Sequence, residues 1–291
     1  MRLAEETVIM GKRAITKSYA KINLTLDVLG RMENGYHEIE TVMQTVGLFD
    51  LVIVDRIERG IYISTNLKYL PTNEKNIAYK AAAAFFEKTG IKGGAKILIH
   101  KNIPVAAGLA GGSSNAAAVL AALNLLYSTP LTDEELLQTG KNLGADIPFC
   151  LMCGTKLCKG IGEKITDITP FPKKHVLLVK PPVNISTAQI YEEIDSEPSY
   201  EHPTTSEFIA SLGENSYSPD KMFNVMEMVT AKKYPVIRGI REKMLLNGAQ
   251  AAMMSGSGST VFGIFDDYKL AKASQDSFSL FYKEVYLTMI N

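Results

Sequence analysis

Residues 103–124 read I-P-V-A-A-G-L-A-G-G-S-S-N-A-A-A-V-L-A-A-L-N, and the reading of this stretch decides the fold. A proline-bounded loop carrying Gly108, Gly111 and Gly112 passes through Ser113, Ser114 and Asn115 into an Ala/Leu run of helical composition. Glycines lack the Cβ that keeps an anion away from backbone N–H groups, the hydroxyls add donors, and a new helix aims its unpaired N–H groups and positive dipole end at the same spot. The stretch therefore predicts a phosphate cradle at a loop-to-helix junction. No Lys-Ser or Lys-Thr follows the glycines, so it is not a P-loop, and Gly108-x-x-Gly111-Gly112 does not fit the G-x-G-x-x-G dinucleotide pattern.

The 291 residues suffice for a substantial core in one large domain or two ordinary ones, with two lobes expected. Lys+Arg and Asp+Glu both number 31, which gives no electrostatic case for nucleic acid or an anionic membrane. The charged amino terminus contains no signal-peptide core, and no later run approaches membrane-spanning length, so a cytosolic protein is expected. Met10-Gly11 is a candidate internal start, which would leave residues 1–10 as a disordered leader. Cys150 and Cys153 have the C-x-x-C spacing of a metal site, but the set of three is odd, no His lies nearby and the surroundings are apolar. Buried thiols are expected, and no metal ligands are assigned.

Residues 14–29 alternate Ile22, Leu24, Leu26 and Val28 with Lys21, Asn23, Thr25 and Asp27, a half-buried strand with a polar face. Asn34-Gly35 signals a turn into a second alternating run through His37, Ile39, Thr41 and Met43, making a β-hairpin. Strand-like runs follow at 51–54, 61–65 and 96–99, and residues 76–88 read as a helix stopped by Gly90. After the Ala-rich helix, Thr132 to Glu135 form a capping box opening a helix to about Asn142. Asp146 then stands between Gly144 and Pro148 in apolar company, where a helix N-cap accounts for it. Strands are expected at 155–159, 164–168 and 175–180, with Thr169-Pro170-Phe171-Pro172 as the boundary between lobes at 1–168 and 169–291. Ser186-Thr187 caps a short helix holding Tyr191, residues 195–220 read as loops and short helices, and helices follow at 222–230 and 236–246, their methionines filling core. Residues 251–262 read as two strands around a Gly/Ser turn. Strands and helices mix without strict βαβ alternation, which predicts an α+β fold.

The segment Pro104 to Ser114 resembles the second signature of the galactokinase, homoserine, mevalonate and phosphomevalonate (GHMP) kinase superfamily. Tyr19 to Leu24 resembles its first signature, and residues 251–262 its third, a glycine loop packed against the phosphate cradle, with Ser259 where Pro or a small residue is expected. The resemblance implies a two-lobed α+β fold, an N-terminal α/β domain like ribosomal protein S5 domain 2 and a ferredoxin-like C-terminal domain, with the active site in the cleft between them. It implies ATP and Mg²⁺ as cofactors, with Asn76 and Ile77 at the adenine and Pro104, Gly108, Leu109, Ala110, Gly111, Gly112, Ser113 and Ser114 around the phosphates. Lys21 and Asp146 are implied as the catalytic pair, the aspartate as base. Gly35-Tyr36-His37 resembles the cytidine-binding element of one branch, in which the aromatic ring stacks on cytosine and the imidazole hydrogen-bonds it. Asn23, Tyr36, His37, Thr187 and Tyr191 would then bind a cytidine-diphosphate-linked methylerythritol, whose 2-hydroxyl is phosphorylated in the non-mevalonate isoprenoid pathway. Such a kinase is expected to be a monomer or weak homodimer acting on a small molecule. The alternatives are a homoserine or mevalonate kinase, which has no use for a cytosine-stacking Tyr-His pair, and an inactive nucleotide-binding regulator, against which retention of Lys21 and Asp146 argues.

Overall fold

Two long strands carry the amino-terminal third. In a computed structural model that describes residues 5–128, 131–196, 202–213 and 216–291, β1 (Val8–Met10) pairs antiparallel with β2 (Arg13–Arg31), and β2 neighbours β3 (His37–Ile57) across the Asn34-Gly35 turn. Gly35 supplies the positive φ of that turn, +83°, which an L side chain adopts at a cost. Residues 8–10, expected in a leader, are instead an edge strand.

Contacts divide the chain into two compact units, each discontinuous in sequence: residues 1–20, 49–105 and 110–153, and residues 21–48, 106–109 and 154–291. The chain passes between these two units five times.

In the first unit, β4 (Gly60–Thr65) lies parallel to β5 (Gly94–His100), joined through helix α1 (Ile77–Thr89), and β5 is antiparallel to residues 51–57 of β3. Asn76 caps α1 through its side-chain oxygen and Gly90 ends it in a left-handed conformation, φ +66°. Helix α2 (Gly111–Leu126) is buried continuously from Ser114 to Leu123, as apolar residues all round its circumference require. Its alanines let α1 approach with Ala78, Ala81, Ala82 and Phe85. Removing one of its buried leucines, Leu120, costs about 2–5 kcal/mol through lost transfer energy and the cavity left behind. Helices α3 (Asp133–Leu143), with the expected capping box, and α4 (Ile147–Met152) complete this unit. All three cysteines are buried.

In the second unit, β6 (Thr155–Gly160) pairs with residues 39–44 of β3 and with β7 (Lys164–Asp167). A separate antiparallel sheet runs in the order β10 (Ala251–Met254), β11 (Val261–Phe265), β8 (His175–Lys180), β12 (Glu284–Met289). Helices α5 (Thr187–Asp195), α6 (Thr205–Ala210), α7 (Val225–Lys233), α8 (Pro235–Leu246) and α9 (Tyr268–Ser279) accompany it. A two-residue strand, β9 (Phe223–Asn224), lies parallel to β2 at Thr25 and Leu26, where helix was expected. Asn224 explains the delayed start: its side chain caps α7 by accepting from the Met226 N–H. The core here includes Met226 and Met244, on helices whose methionines were expected to fill it, and Met254 of β10. No sequence reading covered the final stretch, where α9 and β12 close the sheet.

The polar face of β2 departs from expectation. Lys21, Asn23 and Thr25 are 5 %, 1 % and 0 % exposed. The alternation marked two different surroundings, not core and solvent, because the polar face is covered by further chain of the second unit. The expected α+β class holds. Among the described residues no helix is long and apolar enough to cross a membrane.

Candidate functional site

In the first unit the junction predicted as a phosphate cradle is built as a left-handed bend followed by a helix. Ala110 sits at φ 55°, ψ 27°, with no side-chain cap, and the first intrahelical bond runs from Ser114 N–H to the Ala110 carbonyl. The N–H groups of Gly111, Gly112 and Ser113 therefore head a sixteen-residue helix without intrahelical acceptors. Gly112 is exposed and a Cβ there would touch only Ile77, at 3.5 Å. Gly111 has a packing reason: a Cβ would come within 3.0 Å of Ile103 Cγ2 and 3.1 Å of Lys101 Nζ. Pro104 is buried ahead of the bend.

The two serines, alike in sequence, differ in situation. Ser113 is half-buried, whereas Ser114 is buried and accepts a 2.8 Å hydrogen bond from the Ser18 hydroxyl. Behind Ser114 lies a closed polar cluster. Asn115 Nδ2 donates to Ser18 Oγ and to Asp50 Oδ2, both at 2.8 Å; Lys101 Nζ donates to Asp50 Oδ2 and, at 3.0 Å, to Asn115 Oδ1. The N–H groups of Asn102 and Ile103 donate to Asp50 Oδ1 at 2.7 and 2.8 Å. A buried charge demands such pairing. The cluster anchors the first turn of α2 to β2, β3 and the loop after β5.

Asp146 stands at the N-cap position of α4, as a helix cap would, but its side chain makes no capping hydrogen bond. The short helix does not use this carboxylate. Asn76 uses both ends of its amide, Oδ1 accepting from the Ala78 N–H and Nδ2 donating to the Pro71 carbonyl, while Ile77 lies beside Gly112 and Gly144.

In the second unit Gly108 and Leu109 meet the glycine-serine turn between β10 and β11. A Cβ on Gly108 would fall 2.1 Å from the Ser255 carbonyl oxygen, Gly108 has φ +75°, and its own carbonyl accepts from Ser255 Oγ at 2.9 Å. The Thr260 N–H donates to the Ala107 carbonyl, and the Leu109 carbonyl accepts from the Lys21 N–H at 3.2 Å. Glycine at 108 is thus demanded by loop-to-loop packing, as the expected third signature implies. Asn224 Nδ2 fixes the turn by donating to the Met254 and Gly256 carbonyls, and buried Glu227 accepts from the Met254 N–H.

The same unit holds a chain of polar groups along the hairpin. Lys21 Nζ donates to Asn23 Oδ1 at 2.7 Å, Asn23 Nδ2 donates to Thr41 Oγ1 at 2.9 Å, and Thr41 donates to the Thr25 carbonyl. Gly256 packs over this chain, with its Cβ direction 3.5 Å from both Asn23 Oδ1 and Lys21 Nζ. Further along, the His37 imidazole stacks on Tyr191, centroids 4.3 Å apart and planes 9° from parallel, and its Nε2 bonds Asp195 Oδ1 at 2.8 Å. Tyr36 is 60 % exposed beside it. Thr187 Oγ1 hydrogen-bonds Ser257 Oγ at 2.7 Å.

Of the residues singled out from sequence, Lys21, Asn23, Tyr36, His37, Thr187, Tyr191, Gly108 and Leu109 belong to the second unit. Asp146, Asn76, Ile77, Pro104 and residues 110–114 belong to the first. Sequence reasoning missed Asp50, Lys101, Ser18, Asn115, Asp195 and Glu227. Asp50, alone in the apolar run L-F-D-L, was the one legible signal; its partner lies fifty-one residues on. A cavity of about 850 Å³ in the second unit, lined by Met222, Phe223, Met228, Arg238, Arg241 and Met253 among others, contains none of the expected site residues.

Comparison with known proteins follows the same lines. Residues 76–154 match the GHMP kinases N terminal domain and residues 203–284 the GHMP kinases C terminal. A 4-diphosphocytidyl-2-C-methyl-D-erythritol kinase of Clostridium botulinum (strain Alaska E43 / Type E3) is 45% identical over 274 residues, 94% of this chain and 98% of that protein. The enzyme of the same name from Alkaliphilus metalliredigens is 46% identical over 279 residues, 95% of this chain and 96% of that protein. A crystal structure of 4-(cytidine 5'-diphospho)-2C-methyl-D-erythritol kinase superposes with TM-score 0.83 at 28% identity, covering 95% of this chain and 99% of that one. A homoserine kinase from Cytophaga hutchinsonii shares the fold, with TM-score 0.70 at 18% identity, covering 98% and 96%. On whole-length similarity at this level, the chain belongs to the 4-diphosphocytidyl-2-C-methyl-D-erythritol kinase family of GHMP kinases.

Proposed function

We propose that this kinase transfers the γ-phosphoryl group of ATP to the 2-hydroxyl of 4-diphosphocytidyl-2-C-methyl-D-erythritol, in the cytoplasm, in the methylerythritol phosphate route to isoprenoid precursors. The observation that carries the cytidine reading is the parallel His37–Tyr191 stack beside the exposed Tyr36 ring: flat aromatic surface with a polar edge, the equipment for a pyrimidine.

Phosphoryl transfer asks for positioning and charge neutralisation more than for covalent chemistry. The N–H groups of Gly111, Gly112 and Ser113, with the Ser113 hydroxyl, suit the nucleotide phosphates. Bound with the nucleotide, Mg²⁺ would supply charge neutralisation at the polyphosphate oxygens, the hard ligands it takes. Among the described residues no three His, Cys, Asp or Glu side chains gather in a metal-binding group. Asp146, unused by its helix, accepts the proton that the attacking hydroxyl loses as its oxygen bonds the γ-phosphorus, and the electrons of the broken bridging P–O bond leave with ADP. Lys21, held by Asn23, neutralises charge on the transferring group.

The test is ADP release by purified protein given Mg·ATP and the cytidine compound, with homoserine and mevalonate as control acceptors. Turnover with the cytidine compound alone is expected. Lys21→Ala and Asp146→Ala should each lower kcat by about 10²- to 10⁴-fold with KM little changed; intact kcat in both folded variants would overturn the assignment.

A further inference from the structure

The aromatic element contains a residue that nothing in the kinase chemistry calls for. Tyr191 and Asp195 lie four residues apart on α5, hence on one face of the helix, and both touch the same imidazole: Tyr191 its plane, Asp195 its Nε2. Asp195 is the last residue of the helix, where the macrodipole disfavours a carboxylate. It is not there for the helix. The His37 side chain is 8 % exposed and that of Asp195 35 %, so the pair is shielded on the imidazole side and open to solvent on the other.

A carboxylate only accepts, so the 2.8 Å contact requires a proton on Nε2. In the neutral ring Nδ1 then carries a lone pair, and it has no hydrogen bond to any described residue. We propose that Asp195 is a positioning residue that holds His37 in the Nε2–H form, so that the Nδ1 lone pair selects a base bearing an exocyclic amino group, cytosine, over uracil. This rests on the cytidine reading above. Cytosine offers an N–H at its position 4; uracil offers a carbonyl oxygen there, and two lone pairs would face each other. A base joined edge-on to Nδ1 lies in the imidazole plane, and therefore parallel to the Tyr191 ring, the orientation in which Tyr36 can cover it.

The experiment compares kcat/KM for the cytidine compound and for its uridine diphosphate analogue in wild type and Asp195→Asn. An asparagine side chain presents a carbonyl and an amino group and accommodates either imidazole form, so it removes the bias and keeps the size. The cytidine-to-uridine ratio is expected to fall about 10- to 100-fold, carried by KM for the base-bearing substrate, with KM for ATP unchanged. An unchanged ratio, or equal losses on both substrates, would overturn the proposal, since a merely structural role for Asp195 lowers both alike. Long-range ¹⁵N–¹H correlation spectra of His37 in the wild-type chain give an independent reading: the proton is expected on Nε2, and a dominant Nδ1–H form would overturn the proposal whether or not the variant folds. Wild-type protein that phosphorylates neither compound would sink the functional reading instead, while the spectra still decide the form of the imidazole.

Discussion

Two polar clusters begin three residues apart on β2 and are built on opposite principles. The cluster that starts at Ser18 is closed: Asp50 accepts from Lys101, Asn115 and two backbone N–H groups, and Asn115 and Ser114 both engage Ser18. The chain that starts at Lys21 is open. Its ammonium group commits one N–H to Asn23 and keeps two without a partner among the described residues, although the side chain is 5 % exposed. The same contrast separates Ser114 from Ser113. A saturated network has nothing left to offer a substrate and works as architecture; a buried donor held in place with capacity to spare is the arrangement that catalysis requires.

The sharpest way to break the comparison is to open the closed cluster. Asp50→Ala leaves the Lys101 ammonium buried without its counter-charge and is expected to destabilise the fold by about 3–5 kcal/mol in denaturant unfolding. Replacing both charges, Asp50→Asn with Lys101→Met, should cost less than that single change. If Asp50→Ala loses under ~1 kcal/mol, the cluster is not what anchors α2. The open chain should respond the other way. Asn23→Ala removes about 1 kcal/mol of stability but frees the Lys21 ammonium from its fixed position, so kcat should drop by about tenfold or more; unchanged turnover would show that Asn23 does not hold the lysine for chemistry. The smallest effects come from the serines. Ser114→Ala should cost about 1 kcal/mol in stability with KM for ATP unaltered, while Ser113→Ala should raise KM for ATP several-fold, as loss of about 1 kcal/mol of hydrogen bonding gives, and leave the melting temperature in place. Reversal of that pattern between the two variants would erase the distinction.

Much of the architecture was legible because it is written in local rules. Asn76, Thr132 and Ser186 cap helices where their side chains offer an acceptor to the first turn, and Gly90 ends α1 where a left-handed residue is needed. The hairpin turn at Asn34-Gly35, the strands of the β10–β11 hairpin and the Ala/Leu-rich α2 follow from spacing in the same way. The position of Asp146 at a helix start was equally plain, but whether its side chain caps the helix is not written in the sequence, and only the structure shows the capping bond missing.

The sequence by itself determined the α+β class, most of the elements and the glycine-serine junction at 108–114, because helix caps, turn glycines and the alternation of side chains act over a few residues. Tertiary structure alone decided that the polar face of β2 is buried, that Gly108 exists to admit the Ser255 carbonyl, that Lys101 belongs to Asp50, and that His37 is shared by Tyr191 and Asp195. Each of those facts joins residues fifty to more than a hundred and forty positions apart, and no local preference of either partner carries the identity of the other. Burial then fixes the outcome, since a polar group taken out of water must find whichever partner the fold brings to it.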